Sequence, residues 1–363
     1  MPCVNATCQY LSVDFLYGKY RGTLLMTTSQ DENSGVLPLA FAVVEGETLT
    51  MWSWFLAHLR EHVTDKNGIC LISDRHTSIK YVVANKALGW QPPRSYHVYY
   101  VRHIASNFNR KFNNAKQKEM LKKLAYTPCK HIFLYQNLEK FRQLSPAIAT
   151  WIDRISKEKW TMAYDREGRR YGHMTTNLSK CINKVLKDCH NIPITALVKS
   201  TYSRCRKYFV DRGRQVQRQL NEGQIYCSKL VKELRKNQEQ VCSHIVRVYD
   251  IHSIRFEVEE TFNPIMQRGG QKWTVNLNGH HCQCGRYFAL HYPSLLRMTL
   301  GIATGARDMV GLDKSRTSFS SQVFHSLGTL RKITFCLSPT SGVVQLGKVA
   351  HESQLLDKWS QIS

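Results

Sequence analysis

The chain has 363 residues and carries 51 Lys and Arg against 27 Asp and Glu, a net charge of +24 with histidine neutral. That length supports roughly two or three domains with at least one sizeable core, and the charge points to a polyanionic partner, of which nucleic acid is the usual one. There is no uninterrupted apolar run long enough to span a bilayer and no basic-then-apolar leader at Met1-Pro2-Cys3-Val4, so neither membrane insertion nor secretion is expected. The 12 cysteines are scattered singly, which without a secretory signal reads as reduced thiols, mostly small buried hydrophobes such as Cys70.

In chain order, Tyr10 to Asp14 predicts a short strand and Gly22 to Thr28 a second. The turn-rich Gln30-Asp31-Glu32-Asn33-Ser34-Gly35 joins the second to a third at Leu37 to Val44, apolar enough to be buried on both faces. Trp52, Phe55, Leu56 and Leu59 recur at helical spacing, giving an amphipathic helix over Thr50 to Arg60. A short apolar strand, Ile69 to Asp74, ends in a carboxylate, followed by a helix at Ser78 to Lys86 and a strand at Tyr96 to Val101. Three hairpin strands followed by helical crossovers, normally right-handed, give an α/β fold of the ribonuclease-H-like plan.

Beyond this core the text changes. Residues 102–220 read mostly helical with breaks at Pro128, Pro146 and Pro193, and Tyr202 to Leu220 and Ile225 to Val241 read as long basic helices. Alternating apolar residues predict strands at His244 to Tyr249, Ile254 to Val258 and Trp273 to Leu277, leading to Cys282-Gln283-Cys284-Gly285. After about residue 311 periodicity is lost, apart from a short helical pattern at Ser353 to Trp359. The resulting division is a catalytic core at 1–145, a basic helical region at 146–242, a small β-rich segment at 243–300 and an irregular tail at 301–363.

A ribonuclease-H-like sheet does chemistry by setting acids at adjacent strand ends, where two divalent ions about 3.5–4 Å apart clamp the oxygens of a phosphodiester. Mg²⁺ or Mn²⁺ suits carboxylates with water and phosphate. Asp14 on the first strand and Asp74 at the end of the fourth fit that demand, and Glu139, with Glu119 and Glu158 as competitors, is the candidate third acid. Asp74 also precedes a helix, where an aspartate serves equally as a cap. For nucleic acid, Arg204, Arg206, Lys207, Arg212 and Arg214 interleave with Tyr202, Tyr208 and Phe209 on one helix, and Lys116, Lys118, Lys122 and Lys123 form a second basic stretch. Such charges set salt-dependent, sequence-independent affinity for the DNA backbone.

Several blocks, in order, resemble the plant Mutator-like element (MULE) transposases. They are Phe15-Leu16-Tyr17-Gly18-Lys19-Tyr20-Arg21-Gly22, Leu37 to Glu45 with Trp52-Ser53-Trp54-Phe55-Leu56, Leu71-Ile72-Ser73-Asp74-Arg75-His76, and His97 with Arg102 to Phe108. Later landmarks are Tyr171 to Asn177 and Asn191-Ile192-Pro193-Ile194. The resemblance implies a nuclear DDE-type transposase that cuts and joins DNA with two metal ions, acting on DNA rather than a small molecule, with homo-oligomers open. It also implies an N-terminal zinc domain for DNA binding that this chain is expected to lack. Three departures are visible. Aligned without a gap, the family's first catalytic aspartate falls on Ser12; a two-residue gap restores Asp14. The family cysteine three residues before His103 is Tyr100. The Cys-x-Cys falls where the family carries a SWIM zinc finger, but the closing Cys-x-His is Ser294 and Leu296. A tetrahedral zinc site built on Cys282 and Cys284 would then need His291, or His280 or His281, as a substitute; otherwise the two are free thiols. A domesticated, non-catalytic DNA-binding regulator and an inactive relic are the other readings.

Overall fold

The computed structural model describes residues 8–165 apart from 18–20, 31–32, 34 and 65, then 168–170, 172, 192–224, 227–241, 244–250, 255–262, 270–276, 281–285 and 334–337. Three antiparallel strands open it: β1 (Cys8–Tyr17), β2 (Arg21–Gln30) and β3 (Val36–Val44). β1 and β2 outrun their sequence signals because the hairpin register runs unbroken from Gln9–Ser29 to Tyr17–Arg21, so flanking polar residues also find ladder partners. β3 is buried along its whole length, as its apolar run requires. Its register with β2 shifts between Thr27 and Thr28, beside Pro38, which has no N–H to give the ladder.

Thr48 starts α1 (Leu49–His58), its hydroxyl accepting the Met51 amide at 3.2 Å. The helix widens into a π-helical turn over Leu59–Val63. Then come β4 (Ile69–Ser73), α2 (Thr77–Ala84), β5 (Ser95–Tyr99) and α3 (Val101–Phe112). β4 runs parallel to both β1 and β5. The strands lie in the order β3-β2-β1-β4-β5, a mixed sheet.

Alternation along the strands assigns two faces. Leu11, Leu25, Ala42 and Leu71 meet Trp52, Phe55 and Leu56 of α1 and Ile79 and Val82 of α2. Tyr10, Leu24, Met26, Phe41, Cys70 and Ile72 face the other way, against Leu197, Val198, Cys205 and Phe209. Those four belong to α7 (Ile194–Asn221), so this helix of the basic region closes the sheet of the core. α7 begins eight residues before the expected Tyr202, directly after Pro193, whose fixed φ suits a helix start.

A third cluster joins α3, α4 (Ala115–Ala125), a π-helical turn at Ile132–Leu138, α5 (Glu139–Arg142) and α6 (Pro146–Asp153) around Phe108, Phe133, Phe141 and Trp160. α8 (Ser228–Val241) follows α7. A separate antiparallel sheet holds β6 (His244–Asp250), β7 (Arg255–Glu260), β8 (Lys272–Asn276) and β9 (His281–Cys282), matching the alternating stretches. The tail departs from its reading: Thr334–Leu337 forms β10, parallel to β3. A four-residue strand is too short for periodicity to mark, and the edge of β3 supplies its backbone partners. The pattern at Ser353 to Trp359 lies outside the described residues.

Tyr100 fills the position where the resemblance expects cysteine. It is buried, stacks on Tyr10 with ring centroids 6.2 Å apart, and donates its hydroxyl to the Leu11 carbonyl at 3.0 Å. The bond ties the start of α3 to the middle of β1. Tyr100→Phe keeps the ring and removes the bond, so it should lower the urea midpoint by the equivalent of about 1 kcal/mol at unchanged m-value; an unaltered midpoint would show that the bond contributes nothing net.

Candidate functional site

β1 and β4 pair through Cys8–Cys70, Gln9–Leu71 and Tyr10–Ile72. Continuing that register brings Ser12 level with Asp74. Asp14 lies one same-face step further, about 6–7 Å along the strand. Ser12 and Asp14 sit opposite Met26 and Leu24, so both lie on the face covered by α7. The Ser12 hydroxyl is buried without a hydrogen-bond partner. Asp14 accepts the amide of Phe15 at 2.9 Å.

Asp74 follows β4 at the turn into α2. Its carboxylate accepts the His76 amide at 2.9 Å, so it does hold the turn, as an aspartate before a helix can. Its backbone is fixed from the other side. The Ser73 hydroxyl donates to the Asp74 carbonyl at 2.7 Å and lies 2.8 Å from Nε2 of His97. With the hydroxyl proton directed at that carbonyl, Nε2 of His97 is assigned as the donor to Ser73.

The acid that sequence reading missed is Glu47. Its carboxylate accepts the indole N–H of the fully buried Trp52 at 3.2 Å and lies 3.5 Å from Nδ1 of His76. Burial raises its pKa, His76 opposes that shift, and Asp74 reinforces it by repulsion. The signal was present: an acid just before the Thr48 cap, with a Trp one turn on whose N–H needs an acceptor once buried. His103 of α3 belongs to the same neighbourhood; burial lowers its pKa, with Asp74 acting against the shift and Arg75 and Arg110 adding to it.

Glu139 sits at the start of α5, half exposed, 3.7 Å from Arg142. Glu119 pairs with Lys122 at 2.6 Å, and Glu158 accepts the Ser156 hydroxyl at 2.5 Å. Among the described residues, no three or more His, Cys, Asp or Glu side chains converge as a metal-holding group.

Cys282 and Cys284 are buried at the end of the small sheet with Val258 and Val275, their sulfurs 2.9 Å apart. Gly285 has φ +71, and a Cβ on it would fall 2.3 Å from the Pro128 carbonyl oxygen, so the turn needs glycine for both reasons. The two thiols amount to half a zinc shell; His291, like Ser294 and Leu296, lies outside the described residues.

On α7, Arg206 and Lys207 are exposed, and Arg214 is exposed beside Asp211 at 4.0 Å. Arg204 is half-buried. Arg212 is turned inward, donating to the Tyr208 hydroxyl at 2.5 Å while Tyr208 donates to the Val36 carbonyl at 2.6 Å. Its role is to tie α7 to β3.

The buried His97 has its pKa pushed down to about 3 by burial, with Lys159 and Lys80 adding to the shift. A base held neutral in the fold but protonated near pH 6.5 when unfolded favours folding fully above pH 6.5 and loses that contribution as pH falls toward 3. His97→Gln, which keeps a polar partner for Ser73 but cannot titrate, should flatten the fall in stability between pH 6.5 and 4 by up to about 1.4 kcal/mol per pH unit. Parallel pH profiles for the two proteins in urea denaturation would reject this origin.

No curated protein matches the chain. Among the described residues no helix is long and apolar enough to cross a membrane. Residues 10–107, the stretch that carries β1 to β5, Glu47, Asp74 and His103, match the family model of the MULE transposase domain, which supports kinship with Mutator-like transposases.

Proposed function

We propose that the chain is a Mutator-like transposase derivative on a ribonuclease-H-like sheet whose working property is DNA binding in the nucleus. The observation that carries this reading is the match over residues 10–107 to a MULE transposase domain, in a chain of net charge +24. The sheet order and the position of Asp74 at the end of β4 agree with it. DNA-backbone affinity is assigned to the outward cations of α7 (Arg206, Lys207 and Arg214), with Lys116 and Lys123 of α4, also exposed, as a second stripe. Each phosphate contact releases condensed counterions, so binding weakens steeply with salt.

Replacing Arg206, Lys207 and Arg214 together by alanine should weaken duplex binding and lower the slope of log K against log salt by about two to three. An unchanged slope in fluorescence anisotropy would move the DNA interface off α7.

The ancestral activity implied by the resemblance is two-metal DNA cleavage and strand transfer, with Asp14, Asp74 and Glu139 as the ligand set and Mg²⁺ or Mn²⁺ supplying the Lewis acid. We assign its loss to Ser12, which holds the register position level with Asp74. Wild-type protein should leave supercoiled plasmid intact in Mn²⁺, and Ser12→Asp should nick it unless Asp74→Asn is added. A second reading, active chemistry through Asp14, is favoured by Asp14 sharing the face of Ser12. Nicking by the wild type that disappears in both Asp14→Asn and Asp74→Asn would establish that reading and overturn the first.

A further inference from the structure

A cavity of about 620 Å³ lies along β5, walled on one side by Lys80, Val83 and Ala84 of α2 and on the other by residues 156, 158, 159, 164, 165, 169 and 170. Its volume is in the range of small-molecule sites and ample for a single nucleotide. Four cations, Lys80, Lys159, Arg169 and Arg170, line it against two acids, Glu158 and Asp165. Arg170 and Asp165 belong to the wall. The Arg170 amide donates to the Asp165 carboxylate at 3.0 Å, and its guanidinium donates to the carbonyls of Thr161 and Glu158. Beside that pair the lining sets Lys80, Lys159 and Arg169 against Glu158, with Glu158 acting on Lys159 and Arg169 acting also on Asp165, so the lining keeps a net positive charge.

These cations are interleaved with rings. The Arg169 guanidinium lies 3.8 Å from the centroid of Tyr96, and the Lys80 ammonium 5.8 Å from that of Tyr99. A planar guanidinium held on an aromatic face extends the stacking platform to a third flat group, and nucleic-acid bases stack on such planes. Lys159 is oriented by its bond to the His97 carbonyl at 2.9 Å. Burial is the leading cause of the lowered pKa of both Lys80 and Lys159, and a desolvated ammonium attracts an anion more strongly than a solvated one. The cavity also adjoins the carboxylate neighbourhood. Tyr99 pairs in register with Ser73, the residue before Asp74, and Lys80 interacts electrostatically with Asp74.

We propose that this cavity binds one nucleotide unit, with the phosphate against Lys80 and Lys159 and the base against the Arg169–Tyr96 stack. The proposal rests on the reading of the chain as a DNA binder for its setting, but not for the chemistry of the pocket. The shared ligand chemistry is a nucleoside phosphate, which either an unpaired residue of a DNA strand or a free nucleotide could supply.

The test uses the full chain and three probes: a duplex without unpaired bases, a single strand carrying one 2-aminopurine, and deoxynucleoside 5′-monophosphates with inorganic phosphate as control. The strand's 2-aminopurine emission should change on binding, and Arg169→Ala and Lys80→Gln should each weaken single-strand affinity about tenfold or more while duplex affinity stays within about twofold. Arg169→Lys, which keeps the charge but not the plane, should lose the emission change, and thermal melting checks that each variant folds. Displacement of the strand by monophosphates as well as by unlabelled strand assigns free nucleotide as a ligand; displacement by strand alone assigns DNA; both uphold the pocket. Equal displacement by inorganic phosphate would reduce it to an anion site and overturn the proposal, as would single-strand affinity and emission unchanged in both Arg169→Ala and Lys80→Gln. Loss of duplex binding with the nucleotide responses intact would refute DNA binding as the working property and leave the pocket standing.

Discussion

Three parallel residue pairs between β1 and β4 hold the geometry on which the rest of the molecule depends. β1 pairs with β2 along one edge through nine antiparallel residue pairs and offers its other edge to β4, which takes it up only at Cys8, Gln9 and Tyr10. Asp74 follows β4 beyond the last of those pairs, level by register with Ser12 in the half-buried middle of β1. A shift of one residue in the parallel register would exchange the faces of β4, sending Cys70 and Ile72 toward α1 and α2 and Leu71 toward α7. The two buried faces make such a slip costly, and this fixes which residue of β1 stands level with Asp74.

The surroundings of Asp74 show how tightly that end is built. The buried Trp52 needs an acceptor for its indole, Glu47 provides it, and Glu47 is thereby brought against His76 and into repulsion with Asp74. On the other side His97, Ser73 and the Asp74 carbonyl form one hydrogen-bonded chain, with His97 kept neutral by burial. Tyr100 adds a strut to Leu11, in a place where a smaller thiol would leave β1 and α3 less firmly joined. The scaffold at this end is held by these bonds, while the Ser12 hydroxyl, level with Asp74, is buried without a partner. Most of the stability resides in buried apolar area rather than in the few polar groups around Asp74.

The basic side chains divide by the same logic. On α7 the apolar stripe Leu197, Val198, Cys205 and Phe209 faces the sheet, and the cations fall around the remainder. Arg212 sits close enough to the sheet to be drawn into a bond with Tyr208, whereas Arg206, Lys207 and Arg214 stay in solvent. Near β5 the cations are partly withdrawn from water and laid on tyrosine rings, an arrangement suited to one flat anionic group rather than to a long duplex backbone.

Much was legible in the residues alone. The order of strands and helices through residue 112, the hairpin at Gln30 to Gly35, the two-sided burial of β3 and the alternating strands before Cys282 follow from local periodicity and turn chemistry, which neighbouring residues carry by themselves. What only the tertiary structure decided depends on residues far apart in the chain. The level of Ser12 against Asp74 comes from inter-strand register, and Glu47 joins Asp74 because a loop after β3 folds over the end of β4. The inward turn of Arg212 follows from α7 docking on β3. The cavity along β5 is lined on one side by Arg169, laid on Tyr96 more than seventy residues away in sequence. Sequence patterns record which side a residue faces, whereas a site is set by which distant faces meet, and that is fixed only when the sheet closes.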